Sequence, residues 1–85
     1  MKQIKATTTG RESEKAVEIV AAWKNGAGES STWTMWVPKS QSEIEGDVIR
    51  VADWLIEAKE KDIAEGMRED VAEIIIVGDE TGAGG

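Results

Sequence analysis

The sequence predicts a small single domain of the α+β class, in which an antiparallel sheet of about four to five short strands is packed by one helix. Three observations support this class. The chain has 85 residues, which suits one domain. Several segments alternate apolar and polar residues, as strands do. One later segment instead spaces its apolar residues as a helix does.

The first half of the chain contains the clearest strand patterns. Residues 2–9 end in a run of β-branched Thr and predict a strand, which we expect Gly10 to end. In residues 15–24 the most apolar side chains share one parity. A period of two favours a strand there over a helix, the rival interpretation for a segment rich in Ala and Glu.

A hairpin is expected next. The segment Asn-Gly-Ala-Gly at 25–28 is a strong turn signal, because Asn and Gly tolerate positive φ. Residues 31–37 predict the returning strand, and Pro38 ends it because proline has no N–H for the ladder. Trp36 lies on the opposite parity from Trp33, which makes it the best candidate for an exposed aromatic residue.

Residues 42–66 are ambiguous between one long helix and a strand followed by a helix. The favoured interpretation is a short strand at 48–51, with Asp53 as the N-cap of a helix that begins at Trp54. That helix is expected to end near Gly66. The side chains that it is expected to bury are Trp54, Leu55, Ala58 and Ile63.

The last strand signal is the Ile-rich segment 71–77, which predicts a strand covered on both faces or docked centrally. The domain is therefore expected to span 1–77, followed by a flexible Gly-rich tail at 78–85. The predicted core consists of the apolar residues on the inward parity of these elements: Ile4, Val17, Ile19, Ala21, Trp23, Trp33, Met35, Val37, Val51, Trp54, Leu55, Ile74 and Ile76.

Composition excludes much chemistry. The chain has no His and no Cys, so it offers no imidazole base, no thiolate nucleophile and no zinc site of the usual kind. We therefore expect a protein that is not an enzyme and that uses no cofactor and no metal. No apolar run approaches the ~20 residues of a membrane span, and the first residues lack the apolar region of a signal peptide. These features predict a soluble cytoplasmic protein with no membrane partner.

Charge is distributed unevenly along the chain. The formal net charge is -7. Residues 1–41 hold six basic and four acidic residues, whereas residues 42–85 hold four basic and thirteen acidic ones. An acidic half repels nucleic-acid phosphates and suits a basic protein surface.

Three segments carry a recognisable pattern: Lys-Ala-Val-Glu-Ile at 15–19, Trp-Val-Pro-Lys-Ser-Gln at 36–41 and Asp-Trp-Leu-Ile-Glu-Ala-Lys at 53–59. Together they resemble a family of small bacteriophage and mobile-element proteins. In that family an alternating strand leads to the Trp-Val/Ile-Pro-Lys-Ser-Gln motif and then to a Trp-Leu helix. The resemblance implies a phage origin and a similar fold, in a family that often occurs near recombination and replication genes. A phage origin in turn implies the cytoplasm of the bacterial host as the location.

Two groups of residues are candidates for partner binding. The first comprises Trp36 with the polar segment Lys39, Ser40 and Gln41, although a turn that satisfies loose backbone groups is the alternative role for this segment. The second comprises Glu57, Glu60 and Glu65, which helical spacing places on or near one face. Such carboxylates can imitate a row of phosphates, although a solvated face is the alternative.

The leading hypothesis is therefore a non-enzymatic, phage-encoded interaction protein that binds the basic surface of a nucleic-acid-handling protein. An acidic DNA mimic that inhibits a bacterial defence complex, such as an anti-CRISPR protein, is its concrete form. The alternative is an accessory module of phage recombination or replication that contacts single-stranded DNA through Trp36 and Lys39. A third hypothesis, from the terminal Gly84-Gly85, is a ubiquitin-like carrier. A homodimer through a free strand edge or the strand around 74–76 is also possible.

Overall fold

Two four-stranded antiparallel sheets and one α-helix make up the fold, which the computed structural model describes for residues 1–79. The predicted α+β class is confirmed, and the strands divide between two sheets. The elements, in chain order, are β1 (Lys2–Ile4), β2 (Ala6–Glu12), β3 (Ala16–Asn25), β4 (Ser30–Pro38), a 3₁₀ turn (Lys39–Gln41), β5 (Ser42–Glu45), β6 (Val48–Val51), α1 (Asp53–Met67), β7 (Ala72–Ile74) and β8 (Ile76–Asp79).

The strands of the two sheets alternate along the chain. The first sheet has the order β5-β6-β1-β8, and the second has the order β2-β3-β4 with β7 also paired to β3. The chain passes from the first sheet to the second between β1 and β2 and again between β6 and β7, and it returns between β4 and β5 and between β7 and β8. The helix lies between β6 and β7 in sequence and packs against β7.

A closed ring of three backbone hydrogen bonds joins the two sheets at the links between β1 and β2 and between β7 and β8. The N–H of Lys5 donates to the carbonyl of Ile75 at 2.9 Å, and the N–H of Ile75 donates to the carbonyl of Ala22 at 2.9 Å. The N–H of Ala22 closes the ring by donating to the carbonyl of Lys5 at 2.8 Å. Because a strand residue points its N–H and C=O in the same direction, β2 and β7 lie on the same side of β3.

The predicted hairpin of β3 and β4 forms the centre of the second sheet. The β3 residues Val17, Ile19, Ala21 and Trp23 are all buried, as their shared parity predicts. Asn25 organises the connecting loop, because its Oδ1 accepts the N–H groups of Ala27 and Glu29, both at 3.0 Å. The strand interpretation of this segment is therefore confirmed, and the helix alternative is excluded.

The strand does not end at Gly10. That residue has a φ of 91° and lies inside β2, at a register shift between Thr8 and Glu12. Glycine adopts this left-handed conformation without a Cβ penalty, so the strand bulges instead of ending.

The helix begins one residue earlier than the sequence predicted. Ala52 is its N-cap and makes no side-chain capping hydrogen bond, so the prediction of Asp53 as the N-cap is wrong. The helix ends at Met67, and Arg68 follows in the left-handed conformation with a φ of 56°. Its buried side chains are Leu55, Ile56 and Ile63.

Several predicted core positions are wrong. Trp54 is 58% exposed and Ile76 is 41% exposed. Trp33 is half-buried and packs against the core. Ala58, which was also expected on the buried side of the helix, is exposed. The core also includes Ile63 of the helix, as expected, and three residues that the sequence pattern did not select: Ile49, Ile56 and Ala72.

The Ile-rich segment does not form one strand covered on both faces. It divides at Ile75 into β7 and β8, and Val77 is 53% exposed. Gly78 and Asp79, which the sequence assigned to a tail, belong to β8. The rest of that tail, 80–85, lies outside the described residues, as does the Gly84-Gly85 pair of the carrier hypothesis.

The C-terminal end of the helix packs on an aromatic side chain. A Cβ built on Gly66 would lie 2.8 Å from Cη2 of Trp33, so a glycine is needed for this approach. The contact places the helix over the inner face of β4, the face that also buries Met35 and Val37.

Candidate protein-interaction surface

The predicted site residues fall on two parts of the fold that meet at the start of the helix. Trp36, Lys39 and Ser40 belong to the end of β4 and the 3₁₀ turn, and Glu57 and Glu65 belong to α1. Gln41 connects the two parts through hydrogen bonds to Ala52 and Trp54.

Gln41 holds the beginning of the helix and orients an exposed indole ring. Its carbonyl accepts the N–H of Ala52 at 2.9 Å, and its side-chain Oε1 accepts the indole N–H of Trp54 at 3.2 Å. The ring of Trp54 is thus exposed yet held at its nitrogen. A large aromatic side chain fixed in this way loses little rotamer freedom when it binds a partner.

The outward side of α1 forms a continuous surface around this indole. Trp54, Ala58, Lys61 and Glu65 recur at intervals of four, three and four residues, which align on a helix. With their exposed neighbours they define the surface that we call the helix stripe, which consists of Trp54, Glu57, Ala58, Lys61, Asp62 and Glu65. Among the described residues, none of its carboxylates lies within ion-pair distance of a cation.

Glu60 does not belong to the helix stripe. Its Oε2 accepts the backbone N–H of Ile74 at 2.9 Å, which fastens the helix to β7. Burial is the main cause that raises the pKa of Glu60 above its usual value, and the hydrogen bond from Ile74 opposes the shift. Nearby Glu73 and Glu57 add to the rise. The predicted acidic trio is therefore split into two surface residues and one that holds the fold together.

Lys39 is engaged within the chain. Its Nζ lies 2.7 Å from a carboxylate oxygen of Glu12. The hydrogen bond from Lys39, followed by the charge of that ammonium, lowers the pKa of the Glu12 carboxyl. Lys39 also borders a shallow groove of about 360 Å³ whose floor includes Val17 and Ile44. Ser40, beside it, is exposed.

Trp36 lies on a different surface from the helix stripe. It is 41% exposed on the outer face of β4, where it stands opposite Glu18 of β3. The helix covers the other face of β4 through the contact between Gly66 and Trp33. The two exposed indoles, Trp36 and Trp54, therefore lie on separate surfaces.

An additional acidic cluster, which the sequence did not indicate, surrounds Asn25. Its amide nitrogen donates to Glu29 at 3.2 Å and to Glu69 at 3.1 Å. These contacts hold the hairpin loop against the segment after the helix. The only signal in the sequence was the Asn-Gly turn, which indicates a bend and not this distant partner.

Neither a metal site nor a membrane span is found in the part of the chain that the structure describes. No group of three or more Asp or Glu residues within 1–79 is placed to hold a metal ion. The α-helix in this part is too short and too polar to cross a membrane.

Comparisons with protein-family models, with curated proteins and with solved structures found no match to this chain.

Proposed function

We propose that this chain is a non-enzymatic interaction protein whose helix stripe binds a basic protein surface. One observation carries the proposal: the exposed indole of Trp54, held by Gln41, lies among carboxylates that form no ion pair in the described residues. Binding energy at protein interfaces is concentrated in a few aromatic or Arg anchors, surrounded by polar contacts that exclude water.

Electrostatics favours a cationic partner. The helix stripe contains three carboxylates, from Glu57, Asp62 and Glu65, and one ammonium, from Lys61. A surface of this sign attracts Lys- and Arg-rich surfaces and speeds their association at low salt. It repels nucleic acid, which carries the same sign.

The concrete form of the proposal is a phage-encoded inhibitor of a bacterial defence complex, such as an anti-CRISPR protein. Proteins that bind nucleic acid present basic channels to phosphates. Carboxylates along a helix occupy such a channel as phosphates do, and Trp54 supplies an apolar contact beside them. The resemblance of the three sequence segments to phage proteins supports this form.

The test is retention of a partner from bacterial lysate on the immobilised protein, across a salt series. We expect a nucleic-acid-handling protein to be retained at low salt and released as exposed charges are screened, with a Debye length of about 10 Å at 0.1 M. Trp54→Ala and the double substitution Glu57→Lys with Glu65→Lys should abolish retention.

Matched controls lie on other surfaces. Trp36→Ala removes an exposed indole from β4, and Glu14→Lys reverses an exposed charge before β3. Both variants should retain the partner. Failure of the wild-type protein to retain any nucleic-acid-handling protein, or equal losses in the control variants, would contradict the proposal.

A second candidate function is contact with single-stranded DNA, which the exposed indole of Trp36 favours because bases stack on such rings. The ion pair of Lys39 with Glu12 leaves this surface with less free positive charge. Quenching of tryptophan fluorescence by an oligonucleotide at low salt, lost in Trp36→Ala and kept in Trp54→Ala, would support it. No quenching would leave the protein-partner proposal standing.

A further inference from the structure

The backbone of β4 has one side that faces β3 and one that does not. At one end of the hairpin the N–H of Asn25 donates to the carbonyl of Glu29, and at the other the N–H of Lys39 donates to the carbonyl of Lys15. Both pairs continue the register of β3 with β4. Since hydrogen-bonded pairs alternate along an antiparallel ladder, odd-numbered residues of β4 bond to β3.

The even-numbered residues of β4 therefore point their N–H and C=O groups away from β3. They are Ser30, Thr32, Thr34 and Trp36. Pro38 is also even, so the N–H that proline lacks would have faced outward, as expected for proline on an edge strand. Its carbonyl accepts the hydroxyl of Ser42 at 2.9 Å, which closes the edge at that end.

The edge from Ser30 to Trp36 is open in the described part of the chain. Within residues 1–79, β4 pairs with β3 alone. The strand is nine residues long and contains no charged residue. In contrast, the edge strand β5 carries Glu43 and Glu45, which are the charges that discourage pairing between edges.

We propose that the free edge of β4 pairs antiparallel with β4 of a second copy of this chain. The register that uses every outward N–H and C=O places Ser30 opposite Trp36 and Thr32 opposite Thr34 of the other copy. The same strand supplies both sides, so the contact is isologous and closes as a dimer around a two-fold axis at Trp33.

The self-matching register of β4 argues for a second copy as the occupant, and the charge distribution favours β4 as the place where two copies meet. Two chains of net charge -7 repel each other through most of their surfaces, and most strongly through the acidic residues of 42–85. The uncharged β4 strand lies within residues 1–41, where basic residues outnumber acidic ones. Pairing also covers part of the exposed indole of Trp36.

The experiment is sedimentation equilibrium of the full chain over a wide concentration range. We expect the mean mass to rise from 9.2 kDa toward twice that value. Thr34→Pro removes an outward N–H without removing a bond to β3, and Thr34→Lys puts two like charges near the axis. Each should raise the dimer dissociation constant at least about 10-fold.

Thr7→Lys is the matched control for the charge. Thr7 and Thr34 both stand opposite Val20, one on each side of it and on the same sheet face, but Thr7 belongs to β2. We expect Thr7→Lys to change the dissociation constant less than about 2-fold. A dimer equally weakened by Thr7→Lys, or unaffected by either change at Thr34, would overturn the proposal.

Amide hydrogen exchange of the wild-type chain gives a test that needs no variant. The amides of Thr32, Thr34 and Trp36 should become protected as concentration rises, while those of Trp33 and Met35 stay protected throughout. A chain that stays monomeric at every concentration up to about 1 mM would overturn the proposal. That result would hold against it even if the edge of β4 takes a strand from another protein.

Discussion

Strand β3 and helix α1 both have one apolar side, but they differ in how much of their surface is buried. In β3 every inward side chain is buried, and the strand pairs with β2, β4 and β7. The helix buries three side chains and is fastened by the bond from Ile74 to Glu60 and by the contact of Gly66 with Trp33. The outward side of β3 carries short apolar and charged side chains. The outward side of α1 carries an exposed indole and carboxylates that form no ion pair within residues 1–79. The strand is the scaffold, and the helix presents the surface.

The largest expected effect is at the centre of β3. Ile19 is 0% exposed, and Ile19→Ala leaves a cavity between the sheets. We expect the free energy of unfolding to fall by about 3–4 kcal/mol, measured by urea denaturation. A loss below about 1 kcal/mol would contradict the assignment of β3 as the scaffold.

Gly66→Ala tests how tightly the helix is seated. Alanine favours a helix over glycine by about 1 kcal/mol, but its Cβ would overpack Trp33, at a cost of about 1–3 kcal/mol. We expect a net loss of about 1 kcal/mol in the free energy of unfolding. In a Trp33→Ala background the same change should stabilise the protein. No reversal of sign between the two backgrounds would contradict the contact.

Glu60→Gln tests the attachment of the helix to β7 through its pH dependence. Because burial raises the pKa of Glu60 above 4.5, the folded protein holds this proton more tightly than the unfolded chain does. The group therefore lowers stability as pH rises through the raised pKa, and it has no such effect below 4.5. Glutamine keeps an oxygen for the N–H of Ile74 but does not ionise.

We expect the stability of Glu60→Gln relative to the wild type to increase as pH rises from about 4 to 7, measured by urea denaturation at each pH. Glu57→Gln, an exposed carboxylate one turn earlier, is the control and should show a flatter difference. A pH-independent difference for Glu60→Gln would contradict burial of this carboxyl.

The smallest expected effect on stability is at the outward side of α1. Trp54→Ala removes a largely exposed ring and one exposed hydrogen bond, so the free energy of unfolding should change by less than about 1 kcal/mol. A larger loss in the free energy of unfolding would mean that Trp54 is packed in the core, and it would contradict the division between scaffold and surface.

The same contrast explains what the sequence could predict. Side chains alternate between the faces of a strand because of local backbone geometry, so the period of two identified the inward residues of β3 and β4. The rotation of a helix about its axis is instead set by what it packs against. Trp54 is a large aromatic residue of the kind expected in a core. Its indole N–H instead donates to Gln41, thirteen positions away in the sequence. That contact has no local signature.

The division into two sheets was equally beyond the sequence pattern. It depends on the ring of hydrogen bonds among Lys5, Ala22 and Ile75, three residues from distant segments. The role of Glu60 also depends on a distant partner, Ile74, so spacing alone placed it with Glu57 and Glu65. The exposure of Trp36 was predicted and is confirmed, because it follows from strand parity alone.

Photo-crosslinking from the helix stripe tests whether this surface contacts the partner protein. A benzophenone side chain at Ala58, which is exposed on the helix stripe near Trp54, is compared with the same group at Thr7 on the outer face of the second sheet. In bacterial lysate at low salt, we expect only the probe at Ala58 to crosslink to a nucleic-acid-handling protein, and we expect added Trp54→Ala to remove the product. Crosslinking from Thr7 alone, or equally from both positions, would contradict binding through the helix stripe.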